Sequence, residues 1–467
     1  MKRLIPAGKA LRKNSKEIAF SRIGIGFEKL DRELFDPEKA YPFVRDLGVK
    51  WVRLQSGWQR TEKSRGVYDF TWLDGIVDTF LDMGIEPWLC LCYGNSLYTE
   101  EAKKYFGAVG CAPVRTEKER SAWCAYVFAC VAHFRGRIRF YEVWNEPDGQ
   151  WCWKNGPDAE ELAAFTRITA AACRRADPSC KVLGPVLCRG DGSFFQALKK
   201  TDILDHLDGI TYHAYLVEEA EWTAREKLYE DWAKESGHPE MLIIQGESGT
   251  QSVRSFAGAL KGACWTPEKQ TKFLLRHLLC DLKNHVFFTS YFSSMDMAEA
   301  LNGLVADEAS WHDYGYFGVI GAEFDENGRA TGNYYAKPSY YALQTLCSVF
   351  SDEYEVVDPP VRGKILPSPY VCGADCDFGK ATSIGFARPD GSVAVAYWMP
   401  SNILTETYEG TASLEVDGSL LAKGVRITDL RDGSVYKLPE EMISDGVLRN
   451  IPITDSPLLL TFGEFCS

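Results

Sequence analysis

The sequence lacks several features that would place it in other functional classes. No apolar run reaches the roughly 18–20 residues that a membrane-spanning helix needs, so no membrane partner is expected. Basic residues are in the minority, with 52 Lys and Arg against 65 Asp and Glu, and the net charge of −13 argues against nucleic acid as a partner. The sequence also shows no internal repeat and no low-complexity tract. An ordinary globular chain remains.

Motifs for cofactors, phosphates and metals are missing as well. The chain has no Gly-rich phosphate loop and no Gly-x-Ser-x-Gly elbow, and its 7 His are dispersed, so we expect no cofactor and no metal. The 15 Cys are odd in number and scattered, which favours free thiols over a disulfide framework. The basic N-terminus lacks the apolar segment of a signal peptide, which predicts a cytoplasmic location.

Strand-like and helix-like patterns alternate between residues 21 and 350. This rhythm is typical of βαβ units in a parallel sheet, and eight repeats predict an α/β fold of the (β/α)8 TIM-barrel type. Residues 36 and 37, Asp then Pro, predict the start of the first helix, and the Gly at position 48 predicts its end. The predicted strands are 23–27, 51–54, 87–92, 138–144, 181–184, 209–212, 241–244 and 287–291.

The pattern changes after residue 350. Short strands separated by Asp-Gly turns predict a C-terminal β-sandwich accessory domain over residues 351–467. Residues 1–20 precede the first barrel strand, and we expect them to be able to add a strand to the sandwich. The five clearest sandwich strands are 356–357, 383–386, 393–397, 412–416 and 458–462.

Two glutamates follow predicted barrel strands. Glu146 ends the fourth strand within Asn145-Glu146-Pro147, and Glu247 follows the seventh strand. Active sites of TIM barrels lie at the carboxyl ends of the strands, so the two side chains are expected to meet across the barrel mouth. Cleavage of a glycosidic bond uses such a pair, one as general acid and the other ionised. The sequence therefore favours a glycoside hydrolase.

The motif also resembles a known family group. Asn145-Glu146-Pro147 after strand four, with a glutamate after strand seven, is similar to the clan A glycoside hydrolases, and residues 141–147 with the appended sandwich most resemble glycoside hydrolase family 39. The resemblance implies that Glu146 is the general acid/base, that Glu247 is the nucleophile and that Asn145 binds the sugar 2-hydroxyl. It implies retention of configuration, with carboxyl groups roughly 5–5.5 Å apart.

Further residues receive roles by the same resemblance. His213 and Tyr215 follow strand six and resemble the clan's His/Tyr pair beside the nucleophile, with a packed loop histidine as the alternative. Arg53 at the end of strand two resembles the clan's arginine beneath the nucleophile. The alternative for Arg53 is an ion pair inside the barrel with Glu142, which lies deeper on strand four and is interpreted as barrel filling.

Other candidates for sugar binding depend on their position alone. Asn95 follows strand three, where a polar side chain can meet sugar hydroxyls or simply support the loop. Trp311, in the long segment after strand eight, is a candidate stacking platform, since the C–H face of a sugar packs on aromatic rings. Trp151, just past the catalytic motif, is a second candidate. Ordinary loop packing is the alternative for both tryptophans.

The predicted function is a retaining glycoside hydrolase that acts from chain ends on short oligosaccharides. A β-xyloside is the first substrate hypothesis, and β-glucosides, β-galactosides, arabinosides and iduronides are the alternatives. A carbohydrate-binding pseudoenzyme is the alternative of another class. The expected partner is an oligosaccharide or glycoside, and the sequence leaves the oligomeric state open, a homo-oligomer included.

Overall fold

A computed structural model describes residues 1, 3–190, 192–284, 286–367 and 374–466. Strand β1 (Ile5–Lys9) precedes eight parallel strands that close into a barrel, in which the last strand pairs with the first. This confirms the predicted TIM barrel. The barrel strands are β2 (Ile23–Gly26), β3 (Trp51–Gln55), β4 (Glu86–Leu91), β5 (Phe140–Val143), β6 (Lys181–Leu187), β7 (Gly209–His213), β8 (Leu242–Ser248) and β9 (Thr289–Tyr291).

Helices lie between these strands and after the last of them. The α1 helix begins as predicted, because the Asp36 side chain accepts a hydrogen bond from the Glu38 amide and Pro37 takes the first helical position. Gly48 ends it at a φ of 84°. The helices are α1 (Pro37–Leu47), α2 (Trp58–Thr61), α3 (Thr71–Asp82), α4 (Glu117–His133), α5 (Ala159–Ala176), α6 (Gly192–Leu198), α7 (Glu219–Glu235), α8 (Pro267–Asn284), α9 (Pro338–Val349) and α10 (Gly418–Leu421).

Several barrel elements differ from the predicted ones, and α6 and β8 are two of them. The α6 helix was not recognised in the sequence because, at 7 residues, it is too short to show a periodic apolar face. The seventh barrel strand was predicted to end at 244, but β8 continues to Ser248 and pairs with β7 as far as His213 and Glu247. Glu247 is therefore held by the sheet itself rather than by a loop.

The barrel interior is layered. Inward-pointing residues recur every second position, so the strands place aromatic side chains in a lower layer and charged side chains in the layer above it. Trp51 and Phe140 pack in the lower layer with the rings of Trp88 and Phe288. Two positions further along their strands lie Arg53 and Glu142, both fully buried. This charged layer lies directly beneath the barrel mouth.

The remaining strands form hairpins over the barrel and a sandwich beside it, which confirms the predicted accessory β-sandwich. Its sheets have the orders β1-β21-β20-β24-β18-β17-β14 and β16-β15-β19-β23-β22, so β1 forms one edge. We keep the division of the chain near residue 350 as a proposal. The strands are β10 (Met297–Ala298), β11 (Tyr314–Gly315), β12 (Ile320–Ala322), β13 (Tyr334–Ala336), β14 (Glu355–Val357), β15 (Val361–Ile365), β16 (Cys376–Asp377), β17 (Thr382–Ala387), β18 (Val393–Trp398), β19 (Glu409–Val416), β20 (Val425–Asp429), β21 (Ser434–Lys437), β22 (Ile443–Ser444), β23 (Val447–Thr454) and β24 (Leu458–Phe462).

A buried arginine joins the barrel to the sandwich. Arg276 on α8 donates to the backbone carbonyls of Asp455 (2.9 Å), Ser401 (2.8 Å) and Met399 (3.0 Å), which belong to sandwich loops. Its guanidinium also lies 3.2 Å from the Glu219 carboxylate on α7.

Among the residues that the structure describes, no helix is long and apolar enough to cross a membrane.

Replacing Arg276 by methionine should destabilise the protein, because three carbonyls and a carboxylate would lose the buried charged donor that joins them. We expect a loss of about 3 kcal/mol or more in the free energy of unfolding, measured by urea denaturation. Arg426→Met is the matched control: its ion pair with Glu464 at 3.1 Å is solvent-exposed, so its loss should leave stability unchanged. Equal effects of the two substitutions would contradict this account of the interface.

Candidate active site

Arg53 lies at the centre of the site and contacts the side chains of both glutamate-bearing strands. Its Nη1 donates to Glu247 Oε2 at 2.7 Å, and its Nε and Nη2 donate to Glu142 Oε2 at 2.8 and 2.5 Å. Nη2 also donates to Asn145 Oδ1 at 2.8 Å, and Glu28 Oε1 lies 3.5 Å from Nη1. Arg53 therefore lies beneath Glu247 and also pairs with Glu142, so both contacts that the sequence offered as alternatives for Arg53 are present.

Glu247 is surrounded by hydrogen-bond donors and cations. The Tyr215 hydroxyl donates to Oε1, and His213 Nδ1 lies 3.7 Å from Oε2. Burial raises the pKa of Glu247, but the charges of His213 and Arg53 and the Tyr215 hydrogen bond outweigh it, so this pKa lies below its usual value. The carboxyl group is consequently ionised at neutral pH.

Glu146 is held from two other directions. His213 Nδ1 lies 2.8 Å from Oε1, and the Trp151 indole Nε1 donates to Oε2 at 2.5 Å. The backbone here is unusual, because Trp144 and Glu146 both have positive φ angles, of 66° and 43°. Non-glycine residues adopt this region at a conformational cost, and such residues cluster at active sites. The chain leaves β5 in a turn that aims Glu146 into the barrel mouth.

His213 connects the two glutamates electrostatically. Burial lowers the pKa of His213, whereas the charge of Glu247 and the hydrogen bond and charge of Glu146 raise it, and the net shift is upward. Glu146, His213 and Glu247 each offer a ligand atom within 4.8 Å of the others, a set that metals can use. Arg53 already donates to Glu247, and the surroundings raise the pKa of His213, so the chemistry of the donors favours a proton there over a cation. The absence of a metal and a cofactor stays a prediction.

Glu146, Glu247, Tyr215 and Trp151 line a cleft of about 540 Å³ at the barrel mouth. This volume is typical of small-molecule sites. One part of the cleft is polar and deeply buried, with exposed fractions of only 1% for Glu28 and 5% for Arg32 and Glu299. Glu28 Oε2, Arg32 Nη1 and Glu299 Oε1 have no hydrogen-bond partner within the described part of the chain. Buried polar atoms are rarely left unpaired, so this region fits a polyhydroxylated ligand.

The charges of this polar region are already partly balanced. Burial raises the pKa of Glu28 to about 7, against the lowering effect of Arg53 and with a further contribution from Glu247. Lys29 donates to Glu299 Oε2 at 3.1 Å and to the Ala298 carbonyl, so its charge is engaged. The free atoms are mainly acceptors, which suits ligand hydroxyl groups.

The predicted site residues are mostly brought together, with two exceptions. Asn145, Trp151 and Tyr215 line the cleft beside the two glutamates, and His213 and Arg53 lie beneath them. Asn95 does not line the cleft, contrary to the prediction. It is fully buried, and its side-chain amide donates to the carbonyls of Trp58 and Glu62. It supports the loop, which was the alternative.

Trp311 is the second exception. Its ring stacks on Phe106 at 4.0 Å with an interplanar angle of 18°, and its indole Nε1 donates to the Leu304 carbonyl. Both the ring face and the N–H are thus engaged within the loops, and Trp311 does not belong to the cleft lining. The predicted stacking role is not supported.

The sequence interpretation missed several residues that line the cleft. Glu28 and Lys29 lie two and three residues past the end of β2, and Gln55 ends β3, so the rule that located Glu146, the carboxyl end of a barrel strand, applied to them as well. Glu299 and Phe256 lie on long segments after β9 and β8, where no periodic pattern gives a side chain its direction.

Comparison with known proteins agrees with this geometry. The family model of glycosyl hydrolases family 39 matches residues 32–349, well over half of the chain. The chain belongs to glycosyl hydrolases family 39. A β-xylosidase of Geobacillus stearothermophilus is 27% identical over 256 residues, which are 51% of this chain and 49% of that protein. The chain thus spans about half the length of this β-xylosidase in the alignment.

Solved structures support the fold assignment of this family 39 chain. A family 39 glycoside hydrolase from Bacteroides cellulosilyticus superposes with a TM-score of 0.67 at 16% identity, covering 94% of this chain and 80% of that one. A monomeric β-xylosidase from Caulobacter crescentus gives a TM-score of 0.60 at 16% identity, covering 98% of both chains. At such identities the likeness concerns the barrel and sandwich architecture alone.

Gly149 should be required for the contact between Trp151 and Glu146. A Cβ atom at position 149 would lie 2.4 Å from the Trp151 ring, so Gly149→Ala should displace the indole from Glu146. We expect the Trp151 indole N–H resonance, assigned among the 13 tryptophans with Trp151→Phe, to move from its wild-type position and to change its pH response, because the indole no longer donates to Glu146.

Gly75→Ala is the control for this experiment. A Cβ atom at Gly75 meets nothing within 4 Å, so this helix substitution should leave the indole resonance and its pH response unchanged. An unaltered Trp151 signal in Gly149→Ala would contradict the proposed steric requirement.

Proposed function

We propose that the chain is a retaining glycoside hydrolase in which Glu247 is the nucleophile and Glu146 the general acid/base. The observation that carries the proposal is the pair of carboxyl groups at the mouth of the barrel, one oxygen of each lying within 4.8 Å of the other. This spacing fits direct attack, because an inverting enzyme separates its carboxyl groups by roughly 6.5–9.5 Å to admit a water.

The environments of the two glutamates support different roles in the first step. Glu247 is ionised and aimed by Arg53 and Tyr215, so its free electron pair attacks the anomeric carbon. Glu146 gives its proton to the leaving oxygen as the glycosidic bond breaks. His213, 2.8 Å from Glu146, stabilises the negative charge that forms on Glu146 in this step.

The second step reverses these roles. Glu146, now ionised, takes a proton from a water that attacks the anomeric carbon, and Glu247 is released as a carboxylate. Trp151 and His213 both hydrogen-bond to Glu146, so they stabilise its ionised state between the two steps. Asn145, whose Oδ1 accepts a hydrogen bond from Arg53, would bind the sugar 2-hydroxyl, as the family resemblance implies.

We propose a neutral sugar, with a β-xyloside as the first hypothesis. The free atoms of Glu28 and Glu299 are carboxyl oxygens, which suit sugar hydroxyls, and Arg32 Nη1 is a free donor in the same region. Lys29 donates to Glu299, so its charge is engaged. The β-xylosidase relative supports a xyloside as the first hypothesis.

Exo action on short oligosaccharides is proposed from the burial of the polar region of the cleft. The residues Glu28, Arg32 and Glu299 are at most 5% exposed, so the polar region is a closed end of the cleft. A sugar bound there has its non-reducing hydroxyls enclosed by protein, which leaves no path for a chain to continue. The enzyme would then remove terminal residues.

Glu247→Ala should lower kcat for a nitrophenyl β-xyloside by about 10³-fold or more, because the covalent route is lost. Azide should restore turnover and yield a glycosyl azide of inverted anomeric configuration, identified by NMR. The proposal is wrong if Glu247→Ala keeps full activity, whereas a wild type that binds sugars but cleaves no glycoside would favour a binding protein.

Tyr215→Phe should move the acid limb of the kcat/KM profile to higher pH. The Tyr215 hydrogen bond lowers the pKa of Glu247, so its loss raises that pKa and protonates the nucleophile at a higher pH. We expect kcat/KM to fall about tenfold or more at pH 5, and by less at neutral pH.

Tyr335→Phe is the matched control, since Tyr335 is 54% exposed and lies outside the cleft lining. Its profile should coincide with that of the wild type. A uniform loss of activity in Tyr215→Phe, with no movement of the acid limb, would contradict the electrostatic role of the hydroxyl.

A further inference from the structure

Phe256 is the most exposed large hydrophobic side chain among the described residues, at 76%. It lies on the long loop between β8, which carries Glu247, and α8, and it lines the cleft that contains Glu146. A soluble protein gains nothing in stability from a phenyl ring held in water, so its position at a cleft is informative.

The loop presents this ring from a fixed backbone. Ser255 Oγ donates to the Tyr314 carbonyl at 3.1 Å, and the Gln251 amide donates to the Ala257 carbonyl at 2.6 Å. Both chain neighbours of Phe256 are therefore anchored, and the neighbour Ser255 is only 8% exposed. The exposed ring is the outward-pointing residue of an anchored turn.

A cation further restrains the ring. The Arg254 guanidinium lies 5.4 Å from the Phe256 ring centroid, in a cation–π arrangement. This contact holds the phenyl ring without burying it in an apolar cluster. The ring remains available to an apolar partner that enters the cleft from solvent.

The position of Phe256 along the cleft indicates which part of a substrate it contacts. The buried region of Glu28, Arg32 and Glu299 is suited to the sugar that reacts, so the group that leaves must extend from Glu146 toward solvent. Phe256 is the exposed aromatic residue on this outer part of the lining. A phenyl ring carries no hydrogen-bonding group, so it recognises an apolar face rather than a particular hydroxyl pattern.

We propose that Phe256 forms the leaving-group subsite, where its ring packs against the C–H face of the departing sugar or against an aryl group. This inference rests on the proposed function of the chain. The contact is made while the glycosidic bond is intact and is lost once the leaving group departs. Phe256 thus acts on the first step and has no part in hydrolysis of the glycosyl-enzyme.

The test compares two substrates with the same reacting sugar, xylobiose and β-xylosyl fluoride, in wild type and Phe256→Ala. Xylobiose places a second sugar in the outer subsite, whereas fluoride is a single atom that cannot reach the ring. We expect kcat/KM for xylobiose to fall about 3- to 10-fold, while kcat/KM for the fluoride stays unchanged. Phe256→Trp, which keeps an aromatic face, should retain at least wild-type activity on xylobiose.

Val253→Ala is the matched control, because Val253 is 41% exposed on the same loop but does not line the cleft. It should match the wild type on both substrates. Equal losses on both substrates in Phe256→Ala would overturn the subsite, since the residue would then act through the position of Glu247. An unchanged value for xylobiose would overturn it too. If the wild type cleaves neither xylobiose nor β-xylosyl fluoride, and no other disaccharide or matching glycosyl fluoride, the proposed function is overturned and the subsite with it.

Discussion

The shared guanidinium of Arg53 is the interaction on which the rest of the site depends. Arg53, Glu142 and Glu247 lie almost entirely out of contact with water, where an unpaired charge is very costly. One cation donates to both carboxylates and to the Asn145 amide oxygen, so it fixes the second, fourth and seventh barrel strands relative to one another. The lower aromatic layer supports it from below, and the ionised state of Glu247 is a consequence of this arrangement.

Glu146 is held by a separate and more peripheral set of contacts. His213 comes from the sixth strand, whereas Trp151 lies in the loop that follows the motif itself and needs Gly149 for its ring to fit. The two glutamates therefore receive different surroundings although they face the same cleft. Such a difference is what a pair with distinct acid and nucleophile roles requires. His213 Nδ1 lies 2.8 Å from Glu146 Oε1 and 3.7 Å from Glu247 Oε2, so it couples their charges.

The sequence predicted the fold well because barrel strands and helices have strong periodic signals, and Glu146 and Glu247 followed from the rule on strand ends. Residues on long loops were harder. Asn95 follows a strand, but its side-chain amide donates to the carbonyls of Trp58 and Glu62. The ring of Trp311 stacks on Phe106. No sequence pattern reveals such partners, since they are set by how loops pack. Phe256 was missed for the same reason.

The claim that Glu247 is the covalent nucleophile is tested most directly by trapping the intermediate. A 2-deoxy-2-fluoro-β-xyloside with a good leaving group slows the second step, so the sugar should accumulate on the enzyme. Peptide mass spectrometry should then find one sugar attached to Glu247, with Tyr215 and Arg53 unlabelled. A label on Glu146 or another residue, or turnover of a cleavable xyloside with inverted product and no adduct, would contradict the account.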